Sequence, residues 1–143
     1  MSVEKLREFA GEASREKLFQ KIKEVEVGGR RYTIRRPTRG EMYCTGISQL
    51  STLLSILERQ IMSEEDFEKK KKLIEEKEKV QYEFEKRLLH LCVKGLSEDE
   101  MNKLEYSEWY TLFSEVNDFV FMAPFQELLR QRRLRENLMQ DTS

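Results

Sequence analysis

Proline is nearly missing from this chain, at two residues in 143, and glycine is sparse, at six. That excludes a many-turned β-sandwich and low-complexity disorder, both of which are rich in these residues. Cys44 and Cys92 are the only cysteines and belong to no CxxC pair. They read as two buried thiols, with a disulfide as the alternative. No run of about 18 apolar residues occurs, so no membrane span is expected. The start, Met1-Ser-Val-Glu-Lys5, lacks the apolar stretch of a secretion signal. An excess of one charge is missing too: 26 basic against 27 acidic side chains give a net charge of −1. A dedicated nucleic-acid-binding domain usually has a pI above about 9, and here it is near 6.0.

What remains is a long-helix composition, 37% charged, 38% hydrophobic and 10% aromatic. The length suits one domain that buries roughly 68–70% of its unfolded surface. The expected class is mainly α: a helical domain with one N-terminal β-hairpin and a long charged helical hairpin arm. The expected boundaries are 1–21 for a mobile helical segment bearing Val3, Leu6, Phe9 and Leu18, 22–37 for the hairpin, 38–139 for the helical domain and 140–143 for a disordered tail.

Between Ile22 and Pro37 apolar residues alternate with polar ones on both sides of Gly28-Gly29, a pair suited to a two-residue turn at positive φ. That turn sets Val25 opposite Tyr32 and Glu26 opposite Arg31. Val25, Val27, Tyr32 and Ile34 then share one face, which needs a helical floor or another subunit's sheet, because two strands alone are marginal in water. Thr38-Arg-Gly-Glu41 reads as a capping box. Behind it Tyr43, Ile47, Leu50, Leu54, Leu57 and Ile61 form a helical stripe that predicts one helix over 39–61. Ser63-Glu-Glu-Asp66 reads as the start of a helix over about 64–93 whose first half is nearly all charge and whose second half carries Val80, Phe84, Leu88 and Leu91. Gly95 fits a left-handed C-terminal cap. Leu96-Ser97-Glu-Asp-Glu100-Met101 reads as a capping box with a staple, opening a short helix to Leu104. Ser107 is expected to cap a helix with Trp109, Leu112, Phe113, Val116 and Val120 on its inner side. Pro124 is expected to break or restart the helix, and the last helix carries Leu128, Leu129 and Leu134 among four arginines.

Little catalytic chemistry is legible. His90 is the sole histidine; between Leu89 and Leu91 at the apolar end of the long helix, it reads as a satisfied or half-exposed helical histidine rather than a catalytic one. Cys92 is two residues away, which on a helix places it on a different face. No Walker loop, GxGxxG, HExxH or EF-hand spacing occurs, and no cofactor is implied. Arg30, Arg31, Arg35, Arg36 and Arg39 cluster on the hairpin and its exit. Such a patch can bind phosphates or an acidic protein surface, and overall neutrality favours the protein surface. Trp109, Tyr110, Phe113, Phe119, Phe121 and Phe125 fall within 17 residues. They form either a thick core or an interaction surface with aromatic anchors. Arg31, Arg35, Arg36, Trp109, Phe119, Phe121, Phe125 and Leu128 are the candidate partner-binding residues.

The order of elements carries a resemblance. A hairpin closes in Ile34-Arg-Arg-Pro-Thr-Arg-Gly-Glu41. Later come Leu88-Leu-His-Leu-Cys-Val-Lys-Gly-Leu-Ser-Glu-Asp-Glu-Met-Asn-Lys-Leu104 and Ser107-Glu-Trp-Tyr-Thr-Leu-Phe-Ser-Glu-Val-Asn117. Over residues 22–120 this resembles the small tail assembly chaperones of tailed phages and prophages. Segment 63–79 reads as an insertion in that pattern, and the arginine-rich last helix has no counterpart in it. The resemblance implies a non-enzymatic protein of the host cytoplasm that binds the tape-measure protein and tail-tube subunits during virion assembly and forms homo-oligomers. Two alternatives are a structural baseplate or tail adaptor, and a nucleic-acid-binding regulator using the arginine-rich hairpin.

Overall fold

Gly28 and Gly29, at φ +59° and +78°, turn the chain between β1 (Ile22–Val27) and β2 (Arg30–Arg35). Both conformations favour glycine because they crowd a Cβ. The register is the expected one, with Val25 opposite Tyr32 and Glu26 opposite Arg31. Val25, Val27, Tyr32 and Ile34 are buried on one face while Arg30 and Arg31 are exposed. In the computed structural model the described residues are 21–141, without the side chains of Phe125 and Asp141. The expected segment 1–21 therefore lies, up to residue 20, outside the described residues, as do Thr142 and Ser143.

Six α-helices follow: α1 (Arg39–Cys44), α2 (Ile47–Ser63), α3 (Phe67–Cys92), α4 (Glu98–Lys103), α5 (Tyr106–Asn117) and α6 (Ala123–Asp141). The chain is thus mainly helical with one N-terminal hairpin. Thr38 and Glu41 make the expected reciprocal cap of α1, the Thr38 hydroxyl accepting from the Glu41 amide at 3.1 Å and the Glu41 carboxylate accepting from the Thr38 amide at 3.0 Å. The single helix expected over 39–61 is broken. Gly46 takes φ +79° and separates α1 from α2. The Arg87 guanidinium donates to the Thr45 carbonyl at 3.1 Å, satisfying an acceptor that the break exposes.

The α3 helix begins later than expected. Asp66, whose carboxylate accepts from the Glu68 amide at 3.3 Å, is its cap, rather than Ser63. Glu58 bonds Lys77 at 3.0 Å and Thr45 bonds Arg87, so α2 and α3 run antiparallel. No residue from Glu58 to Glu83 is fully buried. The 26 residues of α3 span about 39 Å at 1.5 Å per residue, and their charged first half forms the outer part of a helical hairpin arm.

Gly95 has positive φ, as expected at the end of α3. Before it, Val93 pairs with Ile34, and the Lys94 amide donates to the Thr33 carbonyl at 2.9 Å. The outer edge of β2 is therefore partly closed, leaving β1 as the hairpin's other margin. Ser97 caps α4 through the Glu100 amide, and Leu96 and Met101 are both buried. Glu105 precedes α5 in place of the expected cap Ser107 and makes no side-chain capping bond. Ile34, Ile47, Leu88, Leu89, Cys92, Leu112 and Val116 are fully enclosed and tie the hairpin to α2, α3 and α5.

Pro124 does not interrupt the helical path. A π-helical turn, Asp118–Met122, joins α5 to α6. The Ala123 amide donates to the Asp118 carbonyl, five residues back. In that register the next donor, at position 124, would serve the Phe119 carbonyl, and proline has no N–H to give. Arg36 supplies the missing bond: its Nε donates to the Phe119 carbonyl at 3.1 Å. The tail expected from Gln140 is helical through Asp141.

Candidate functional site

The arginines of the hairpin have different fates. Arg31 is exposed on the polar face, 4.0 Å from Glu24. Arg35 makes a two-pronged bond to Glu41, at 2.9 and 2.6 Å. Those bonds raise the Arg35 pKa and, with the Thr38 amide, hold the Glu41 carboxyl down at about 2 instead of 4.5. Arg36 lies 4.3 Å over the Phe119 ring, and burial lowers its pKa. Two of the three candidate arginines are thus engaged in holding the hairpin to the helices.

The aromatic candidates are divided among three places. Phe119 is in the core. Phe121 is partly exposed and stacks on Phe84 at 6.5 Å, while Phe84 meets Phe113 edge-on at 6.3 Å. Leu128 is exposed on α6, and the Phe125 side chain lies outside the described residues. Trp109 belongs to a separate groove. Arg36 and Phe119 are two candidates that the fold brings into direct contact.

That groove, about 810 Å³, runs along α3 from Ile74 to Glu85, with the end of α4 and the first turns of α5 as its other wall. The Trp109 indole stacks on Tyr82, centroids 5.7 Å apart and planes 12° apart. Its Nε1 donates to Glu85 at 3.0 Å, and Gln81 donates to the second Glu85 oxygen at 3.0 Å. Glu85 is 8% exposed and makes no ion pair among the described residues. Tyr106 and Tyr110 meet at 4.9 Å on the rim, and the bond to Tyr106 raises the Tyr110 pKa. Tyr106 is 78% exposed, so the groove offers aromatic faces to whatever enters. Glu78 also lines it, and Lys77, the one cation there among the described residues, is held by Glu58.

Tyr82, Tyr106 and Tyr110 were not among the sequence candidates. A signal existed: Tyr106 and Tyr110 are four apart and lie opposite the Leu112–Val116 stripe of α5, so their rings point away from the core. Tyr82, two residues before Phe84, is likewise off the buried face of α3.

His90 lies elsewhere, beside a hollow of about 360 Å³ lined by Arg35, Lys86, Arg87 and Glu98. Its Nδ1 is 3.2 Å from the Leu96 carbonyl, which can only accept, so the ring donates there. The cations around it are matched: Arg35 by Glu41, Arg87 by Glu83 at 3.0 Å, and Lys86 by Glu98 at 2.6 Å. The last pairing raises the Lys86 pKa and lowers that of Glu98. Of the two thiols expected to be buried, Cys92 is enclosed, and burial pushes it up to about 12, whereas Cys44 is exposed. No cluster of three or more His, Cys, Asp or Glu suited to a metal ion occurs among the described residues, and none of their helices is long and apolar enough to cross a membrane.

Fold and groove together define a mainly helical protein with an N-terminal hairpin and an open aromatic cleft on a helical arm. No protein-family model, curated protein or solved structure matches the chain.

Proposed function

We propose that this protein acts by binding other proteins, with no bond-making chemistry of its own, and that it is a phage tail assembly chaperone working in the host cytoplasm. Its partners in this reading are the tape-measure protein and the tail-tube subunits. One observation carries the binding part of the proposal: the groove of Tyr82, Trp109, Tyr106 and Tyr110 is wide, helical in its walls and aromatic. Such a cleft suits an amphipathic helix, whose anchors at one face enter it while its polar face stays wet. A tape-measure protein, long and helical, would present many such segments. The resemblance over residues 22–120 supports the narrower identification.

The regulator reading loses ground on geometry. Phosphate binding by the hairpin needs several free guanidinium groups, and Arg35 and Arg36 are already bonded within the fold. The adaptor reading differs from the chaperone in that the protein would remain in purified virions.

Co-expression with a large coiled-coil-rich tape-measure protein, which this reading expects to be encoded beside the chain, tests the proposal. The chaperone reading expects that partner to become soluble and to co-elute with this chain, and expects Trp109→Ala to reduce the complex. A partner that stays insoluble, with no complex eluting, would overturn it.

A further inference from the structure

The two margins of the hairpin are unequal. In an antiparallel ladder, residue pairs that bond each other alternate with pairs whose main-chain groups point outward. The Arg36 amide donates to the Lys21 carbonyl at 2.9 Å, which fixes the alternation: Lys23, Val25 and Val27 bond to β2, while the N–H and C=O of Ile22, Glu24 and Glu26 point away from it. Opposite Glu24, the outward Thr33 carbonyl of β2 is taken by the Lys94 amide. On β1 the outward main-chain groups make no hydrogen bond among the described residues. All three residues are exposed, Ile22 at 60%.

Free strand margins are templates for another strand, and proteins blunt them with proline, a bulge or an outward lysine. None of these guards β1. Its register with β2 is unbroken from Ile22 to Val27, it contains no proline, and its one lysine, Lys23, is drawn to Glu115 of α5 at 3.4 Å. What the margin carries is negative charge. Glu24 and Glu26 stand on the polar face, and Arg31, which faces Glu26 across the ladder, leans to Glu24 at 4.0 Å. Arg35, on the same face, is held by Glu41. Glu26 therefore has no ion-pair partner among the described residues. A second copy of β1 laid along this margin would bring glutamate against glutamate, which is unfavourable.

We infer that β1 receives a strand from a different protein, an extended segment with lysine or arginine at alternate positions. Paired antiparallel, as β2 is, that segment meets the outward N–H and C=O groups of Ile22, Glu24 and Glu26. About five residues suffice to span them. Its alternate cations stand directly opposite Glu24 and Glu26, so each carboxylate lies between Arg31 and Arg35 on one side and the partner on the other. The main-chain bonds supply affinity without regard to sequence, and the two glutamates select the partner. A third strand also carries the sheet past the two-strand size that is marginal in water. The margin shares no residue with the aromatic groove, so this is a second binding surface that takes a strand where the groove takes a helix.

Amide hydrogen exchange of the full-length chain, read residue by residue by NMR, tests it. In the free chain the Ile22, Glu24 and Glu26 amides should exchange almost as fast as in an unstructured peptide, while those of Val25 and Val27 are protected. The probe is a short synthetic peptide of alternating lysine and valine. It should protect the three outward amides, and a peptide of alternating glutamate and valine should not. The lysine peptide N-methylated at its lysine amides keeps its charge but cannot donate to β1, and it should lose binding. Glu24→Pro removes one outward N–H without touching the bonds to β2 and should abolish the protection. Glu24→Lys with Glu26→Lys should weaken binding about tenfold, with Val25 and Val27 still protected as proof of an intact hairpin. Outward amides already protected in the free chain would overturn the inference, pointing to a second copy if protection rises with concentration and to another part of the same chain if it does not. Binding that survives N-methylation, binding of the glutamate peptide, or no protection by the lysine peptide would each overturn it as well. Rescue of the tail protein is a separate readout, so the proposed function and this inference can fail independently.

Discussion

Replacing Arg36 by methionine is the most informative single change to this protein. Methionine keeps most of the unbranched stem and its packing but removes the guanidinium. At least two interactions go with it. One is the donation to the Phe119 carbonyl at 3.1 Å, which Pro124 leaves without a main-chain donor. A bond from a charged donor is worth about 1.5–3 kcal/mol, and much of that is the cost of stranding the acceptor. Another is the guanidinium 4.3 Å over the Phe119 ring, worth about 0.5–1 kcal/mol where solvent still reaches it. Together they set the expected loss at about 2–4 kcal/mol.

Urea unfolding measures this as a lowered midpoint at unchanged slope. Arg31→Met, on the exposed polar face, is the control and should change stability by less than about 0.5 kcal/mol. Pro124→Ala supplies the cause. It returns an N–H in register with the Phe119 carbonyl, so Arg36→Met should cost less in that background, by about 1–2 kcal/mol. The cross term of the four-protein cycle isolates this from the effect of proline on the unfolded chain. Equal losses for Arg36→Met and Arg31→Met would refute the bracing role, and a cross term near zero would refute the orphaned-carbonyl argument.

Gly46→Ala distinguishes the observed break from the continuous helix that periodicity suggests. In a continuous helix it would stabilise by about 1 kcal/mol; at φ +79°, with the new Cβ 2.6 Å from the Arg87 guanidinium, it should destabilise by about 1–2 kcal/mol. Thiol titration at pH 8 should find one reactive cysteine per native chain, exposed Cys44, with Cys92 reacting only after denaturation, because its thiol is held near 12. Acid should weaken the Arg35–Glu41 brace. The native Glu41 carboxyl takes its proton near pH 2 and the unfolded one near 4.5, so its stabilising effect is intact above the latter and is lost as pH falls toward the former. The gap in urea midpoint between wild type and Glu41→Gln should accordingly close between pH 5 and pH 2, and a gap that stays constant would count against the brace.

The hairpin was fully legible because strand alternation has period two and the Gly28-Gly29 turn leaves one register that buries Val25, Val27, Tyr32 and Ile34 together. The helical stripes of α2, α3 and α5 were legible for the analogous reason. Periodicity reports which face is covered and is silent on where a helix changes direction. Tyr43 and Ile47 stay in phase across Gly46, so the break between α1 and α2 left no mark except the glycine. Pro124 had the opposite fault. Its missing N–H suggested a break, whereas the π-helical turn moves the loss onto one carbonyl, and an arginine 83 residues away along the chain meets it.

The same distinction governs the site. A cluster of arginines in sequence says how many cations lie near one another, and its capacity for a partner depends on how many remain unpaired after folding. Arg35 and Arg36 are taken by Glu41 and Phe119, which are reached only when α1 and the π-helical turn come up to the hairpin. Aromatic density near the C-terminus misled in a similar way, since Phe119 is core while Trp109 faces a groove completed by Tyr82 from a different helix. Among the described residues, Glu75 and Glu78 on α3 and Arg133 and Arg135 on α6 are among the charged groups that have no ion-pair partner. Neither set is remarkable as composition, because in a chain with a net charge of −1 they cancel. Separated onto two surfaces of the fold, they no longer cancel locally.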